Sequence, residues 1–210
     1  DDVSLTIRPG TVTALVGESG GGKSTVANLI ARFWDVSEGS VTVGGVDVRE
    51  LDYADWMKHI SIVFQDTNLF KMSVAENVAM YKPGASREEI MEALRQARCE
   101  DILEKLPNGV DSVIGARGVY LSGGEMQRIA LARAILKDAP IVLLDEATAF
   151  ADAENEYLIQ KALDVLLRGK TVLMIAHRLQ TIVHADQIIV MQRGGIAEQG
   201  THEDLMQRQG

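Results

Sequence analysis

Residues 17–24 read Gly17-Glu18-Ser19-Gly20-Gly21-Gly22-Lys23-Ser24, a glycine, four residues and then Gly-Lys-Ser. This stretch constrains the chain more than any other, because it sits between an apolar run (Thr11–Val16) and a segment with Val26, Leu29, Ile30 and Phe33 at helical spacing. Glycines allow the backbone to curl so that successive N–H groups point inward, and the following helix adds its positive N-terminal end. The pattern therefore predicts a phosphate cradle formed by Gly17, Ser19, Gly20, Gly22, Lys23, Ser24 and Thr25. Lys23 would reach the β- and γ-phosphates, Ser24 would hold Mg²⁺ and Thr25 would donate nearby. A flexible glycine turn is the plain alternative, and the strand before it and helix after it count against that alternative. Open α/β sheets bind ligands where a strand ends and a helix begins.

Alternation of Val3, Leu5 and Ile7 up to Pro9-Gly10 predicts a strand and a turn, followed by a second strand over 11–16. Further strands are expected at 40–43, 60–64, 141–144, 171–175 and 188–191. Helices are expected at 52–58, 124–136, 154–167 and 203–207. Over 86–106 the pattern of Ile90, Leu94 and Ala97 and of Ile102, Leu103 and Leu106 is helical, in a stretch rich in Glu and Arg that is stopped by Pro107-Asn108-Gly109. Strands alternating with helices predict an α/β fold with a mostly parallel sheet, interrupted by an all-helical section.

Two further stretches carry chemistry. Ile141-Val142-Leu143-Leu144 ends in Asp145 and Glu146. Asp145 would emerge at the carboxyl end of a buried strand, where it can hold Mg²⁺ through water, and Glu146 could polarise an attacking water. Leu121-Ser122-Gly123-Gly124-Glu125 opens a helix. Ser122 and Glu125 satisfy a capping box, but capping does not need Gly123 or Gly124, each of which costs about 0.5–1 kcal/mol of backbone entropy in a helix. What the glycines permit is close approach of a second anion to a helix N-terminus.

Taken in order, the phosphate loop, Leu-Ser-Gly-Gly-Glu about a hundred residues later, Asp145-Glu146 and then a histidine after a strand resemble the nucleotide-binding domain of ABC transporters over essentially the whole chain. The resemblance implies one ABC ATPase domain over 1–210 with a P-loop NTPase core (about 1–75 and 140–210). It also implies an antiparallel β edge and an inserted helical subdomain (about 76–139) that carries the signature motif. ATP and Mg²⁺ are the implied cofactors. The implied partners are a second nucleotide-binding domain, homo- or heterodimeric, and the transmembrane domain of a transporter, which places this domain at the cytoplasmic face of the inner membrane. In such a pair each ATP lies between the phosphate loop of one copy and the signature of the other.

Carried over by residue, Glu146, His177 and Gln65 match the catalytic positions. Ser24, Gln65 and Asp145 match the Mg²⁺ positions. Ser122, Gly123 and Gly124 match the signature contacts to the facing nucleotide, and Asp152 matches the aspartate through which the two copies communicate. Phe64-Gln65-Asp66-Thr67-Asn68-Leu69-Phe70 and Ser73–Val78 are similar to the exporter-type branch, where this stretch meets the membrane domain. For Leu69 and Phe70, burial in the core is the competing reading. Ala116 stands where that branch usually has glutamate. Ala147-Thr148-Ala149-Phe150-Ala151-Asp152 is a variant similar to exporter-fold transporters that take up iron-loaded siderophores.

Composition narrows the alternatives. With 21 Lys+Arg against 30 Asp+Glu and a net charge of −9, the chain would repel a polyphosphate backbone, so nucleic acid is not expected as a partner. One cysteine, Cys99, can form no internal disulfide, and no histidine pair has zinc spacing with a third ligand. The opening Asp1-Asp2-Val3, without an initiator methionine, suggests a piece cut from a longer polypeptide, truncated at its N-terminus. The aromatic residue on which the family stacks adenine is expected to be missing, because 1–32 contain no Phe, Trp or Tyr. A soluble ABC-type ATPase of DNA repair and a binding-only regulatory subunit remain as alternatives. The absence of long coiled coils counts against the first, and Lys23, Glu146 and His177 count against the second.

Overall fold

The computed structural model describes residues 3–64, 68–115, 119–145, 153–176 and 182–208. The chain divides into two compact units, one made of Asp1–Ile62, Pro140–Glu146 and Gly169–Gly210, the other of Val63–Ala139 and Ala147–Arg168.

A six-stranded sheet dominates the first unit. Its strands are β1 (Val12–Gly17), β4 (Ile60–Val63), β5 (Ile141–Asp145), β6 (Thr171–Ile175), β7 (Gln187–Gln192) and β8 (Gly195–Gly200), in the order β4-β5-β6-β1-β7-β8. A separate two-stranded ribbon pairs β2 (Thr42–Val43) with β3 (Val46–Asp47). β1 runs parallel to β6 and β7, and β5 runs parallel to β6, so the α/β, mostly parallel architecture expected from the alternation is present. Parallel strands are covered on both faces and so read as unbroken apolar runs. Ala14 and Leu15 in β1, Val142 in β5, Val172 in β6 and Ile189 in β7 are fully buried. Helix α1 (Lys23–Ile30) follows β1, and α2 (Tyr53–Lys58) is anchored by the buried indole of Trp56, which donates to the Ile30 carbonyl at 3.2 Å.

One expectation needs correction. Residues 3–7 alternate as foreseen, and Val3, Leu5 and Ile7 pack on the core, but the segment is not a strand. The alternation reports a one-sided apolar contact, which does not require a ladder partner. β8 was not foreseen, since Gly195-Ile196-Ala197-Glu198-Gln199-Gly200 has little β-propensity of its own. It pairs antiparallel with β7 across the two-residue turn Arg193-Gly194, whose φ angles of 50° and 78° suit the tight hairpin turns that match strand twist.

In the second unit the helical stretch expected over 86–106 is present as two helices, α4 (Arg87–Gln96) and α5 (Glu100–Lys105). Arg98 takes a left-handed φ of 59°, the Cys99 N–H closes back on the Leu94 carbonyl at 3.0 Å, and the Arg98 carbonyl accepts from Arg128. The unit also holds α3 (Val74–Ala79) and is built around α6 (Gly123–Lys137), which packs against α3, α4 and α7 (Ala153–Leu166). Both Ile129 and Leu131 of α6 are fully buried, as is its Arg128, whose charge is paired with Asp101 at 2.6 and 2.9 Å. A short α8 (His202–Gln207) follows β8 in the first unit.

Candidate nucleotide site

The phosphate loop leaves β1 at Gly17, where glycine is obligatory. A Cβ there would lie 2.0 Å from the Met191 carbonyl oxygen of β7, at a φ of +137° that side-chain-bearing residues avoid. Gly21 is similarly enclosed, with the Glu18 and Met191 carbonyls 3.0 and 3.2 Å from where its Cβ would stand. β7 therefore supports the loop from behind. Motif reading could not find this contact, because Met191 is distant in sequence and acts through its backbone.

Lys23 is 5% exposed, and its Nζ donates to the Gly17 and Glu18 carbonyls at 2.8 Å each. Both acceptors are neutral. Gly22 caps α1 in a left-handed conformation without a side-chain hydrogen bond, and the first turn of α1 has no acidic residue. The first N–H groups of a helix have no intrahelical acceptor. Elsewhere, α3, α4, α6 and α8 have those donors covered by a Ser or Thr and a carboxylate in a capping box. Ser19, Gly20, Ser24 and Thr25 are exposed along the loop and first helical turn. A buried ammonium, a helix end without an acceptor and exposed hydroxyls together suit a phosphate chain with its metal ion.

Asp145 is the last residue of β5. It pairs in register with Ile175 of β6, which also pairs with Leu15 of β1, so the carboxylate and the loop leave the same edge of the sheet. Gln65, Glu146, Asp152 and His177 lie outside the described residues, as does Ala116. The chain order fixes two of their neighbours, since Glu146 directly follows β5 and His177 follows β6 by one residue.

At the N-terminus of α6, Ser122 accepts from the Glu125 N–H at 3.2 Å, while the Glu125 carboxylate accepts from the Ser122 N–H at 2.8 Å. Partial burial pushes the Glu125 carboxyl up, but the Ser122 N–H and the Lys105 ammonium outweigh it and hold it below the usual carboxylate range. The two signature glycines differ in their surroundings. Gly123 faces open space, whereas a Cβ on Gly124 would stand 2.7 Å from Cβ and Cγ of Asn155 in α7. Packing against α7 thus adds a structural requirement at Gly124. Gly123→Ala should raise stability by about 0.5–1 kcal/mol, and Gly124→Ala should lower it by about 1–3 kcal/mol through overpacking. Urea denaturation of the two variants checks the opposite signs.

Of the pair with competing readings, Leu69 is half-buried and Phe70 is 48% exposed, so Phe70 is not a core residue.

The model of the ABC transporter family matches residues 1–149. The chain belongs to the ABC transporter family. As an ABC ATPase domain, it resembles the mycobactin import ATP-binding/permease protein IrtA of Mycolicibacterium thermoresistibile, with 55% identity over 98% of this chain and 22% of that protein. It is 48% identical to the ATP-dependent lipid A-core flippase of Legionella pneumophila, over all of this chain and 36% of the flippase. A solved structure of a bacterial Atm1-family ABC exporter with ATP bound superimposes with a TM-score of 0.91 at 41% identity, over 99% of this chain and 36% of that one. This ABC domain therefore spans about a fifth to a third of the length of these relatives. Its mixed sheet, in which β8 runs antiparallel to β7, matches the fold of the ABC domain in that exporter.

Proposed function

We propose that this domain binds ATP with Mg²⁺ and hydrolyses it as one of two facing nucleotide-binding domains, powering an exporter-type membrane transporter from the cytoplasmic face. The observation that carries the reading is the buried Lys23 ammonium, held only by neutral loop carbonyls among its described contacts, beside the uncapped N-terminus of α1. The loop N–H groups and Lys23 hold the β- and γ-phosphates. Ser24, Asp145 and Gln65 hold the metal ion, which when bound neutralises charge on the phosphate oxygens. Glu146 accepts a proton from the attacking water, with Gln65 and His177 aligning the water and the γ-phosphate. Ser122, Gly123 and Gly124 of the facing domain close over the same nucleotide, and Asp152 links the two sites. Exposed Phe70 meets the membrane domain. The mycobactin importer among the relatives supports an iron-siderophore as cargo.

The shared site makes an arithmetical prediction. Lys23→Ala in this domain, combined with the matching signature-serine substitution in the facing domain, puts both defects in one sandwich and leaves the other intact. Lys23→Ala and Ser122→Ala together in this domain damage both sandwiches. Occluded ATP, counted per verified dimer, should be one in the first arrangement and none in the second. Equal occlusion in the two would contradict sharing.

A further inference from the structure

Helix α6 carries Ser122 at its N-cap and, about three turns or roughly 16 Å further along, a buried arginine whose described hydrogen-bond acceptors all lie in the segment 68–77. Arg133 is 9% exposed. Its Nε donates to the Asn77 carbonyl at 2.8 Å, Nη2 to Asn77 Oδ1 at 3.2 Å and Nη1 to the Asn68 carbonyl at 3.5 Å. Asn77, fully buried, holds that segment from within. Its Oδ1 accepts from the Phe70 N–H at 2.9 Å, and its Nδ2 donates to the carbonyls of Phe70, Met72 and Ser73 at 3.0, 3.3 and 3.0 Å. Tyr81 lays its ring over the guanidinium, 5.9 Å from the ring centroid.

Burying a guanidinium against neutral acceptors is costly, and an aliphatic residue would fill the same helix face without that cost. What arginine adds is a planar, rigid fork of donors that fixes several acceptors in one geometry. The segment it fixes is the one that presents Phe70 at the surface.

We propose that Arg133 and Asn77 are positioning residues that make the Phe70 segment move as one body with the signature helix, so that contact with phosphate at Ser122 reaches the surface that meets the membrane domain. This rests on the function proposed above.

Hydrogen exchange on the full-length protein, with and without ATP and Mg²⁺, tests it. In the wild type, ATP should slow exchange in peptides covering 119–132 and 68–77 together. In Arg133→Lys, which keeps the charge but not the fork, exchange over 68–77 should speed about tenfold and lose its response to ATP. The response of 119–132 should remain, and the KM for ATP should stay within about twofold. A wild type in which ATP protects 119–132 but leaves 68–77 unchanged overturns the proposal without any variant. So does an Arg133→Lys protein that is less stable yet keeps the joint response, since that is the behaviour of a purely structural contact. Wild-type protein that shows no ATP response anywhere overturns the function proposed above and this inference with it.

Discussion

Lys23→Ala should weaken ATP binding by about 30- to 3,000-fold, the loss expected when one partner of a buried, hydrogen-bonded charge pair is removed. The substitution separates binding from folding. Without nucleotide the ammonium is satisfied by the Gly17 and Glu18 carbonyls, and those residues are themselves exposed. Water can replace the lost donor, so the stability of the nucleotide-free domain should change by no more than about 1 kcal/mol. Titration calorimetry with ATP and thermal melting without it give the two numbers. Unchanged affinity would remove Lys23 from the phosphate site, and with it the function proposed here. Lys23→Arg should not rescue, because the larger planar guanidinium does not fit the space that a compact ammonium occupies between two carbonyls.

Glu146→Gln should lower turnover by about 10²- to 10⁴-fold while leaving ATP affinity near wild type. The amide keeps the size and one acceptor oxygen but cannot take a proton from water. Binding and closure are upstream of that step, so the variant should accumulate as a closed pair with ATP inside. Phosphate release and size-exclusion chromatography in ATP read the two consequences. Release at the wild-type rate would take the role of base away from Glu146.

The contrast between Lys23→Ala and the signature glycines follows from where each group sits. Lys23 lies in the turn after buried β1, where its described hydrogen bonds go to loop carbonyls and not into the core. Gly124 sits against Asn155 inside a helical pair, where packing is felt first.

Local order in the sequence accounts for what could be read from it. The phosphate loop is contiguous, and its glycines, lysine and following helix act within a single turn of chain. The buried strands β1, β5 and β6 announce themselves as unbroken apolar runs because both faces are covered. Helix α6 is marked at its start by the Ser122–Glu125 capping box, which is also a local device. Exposed Phe70 was legible only as a choice between core and interface, since an aromatic residue in a loop has the same sequence in either place.

The sequence by itself determined the glycine-rich turn between β1 and α1, the parallel sheet and the family, because each is encoded by neighbours within a few residues. Only tertiary structure decided that residues 3–7 pack without pairing, that 86–106 breaks at Arg98, and that the polar run 195–200 becomes a strand. The same is true of the Met191 carbonyl behind Gly17, Asn155 against Gly124, and Arg133 on Asn77. In each of these cases the deciding partner is a backbone carbonyl, an adjacent strand or a side chain from another helix. Such partners are brought close by the fold, and no local pattern of residue types records them.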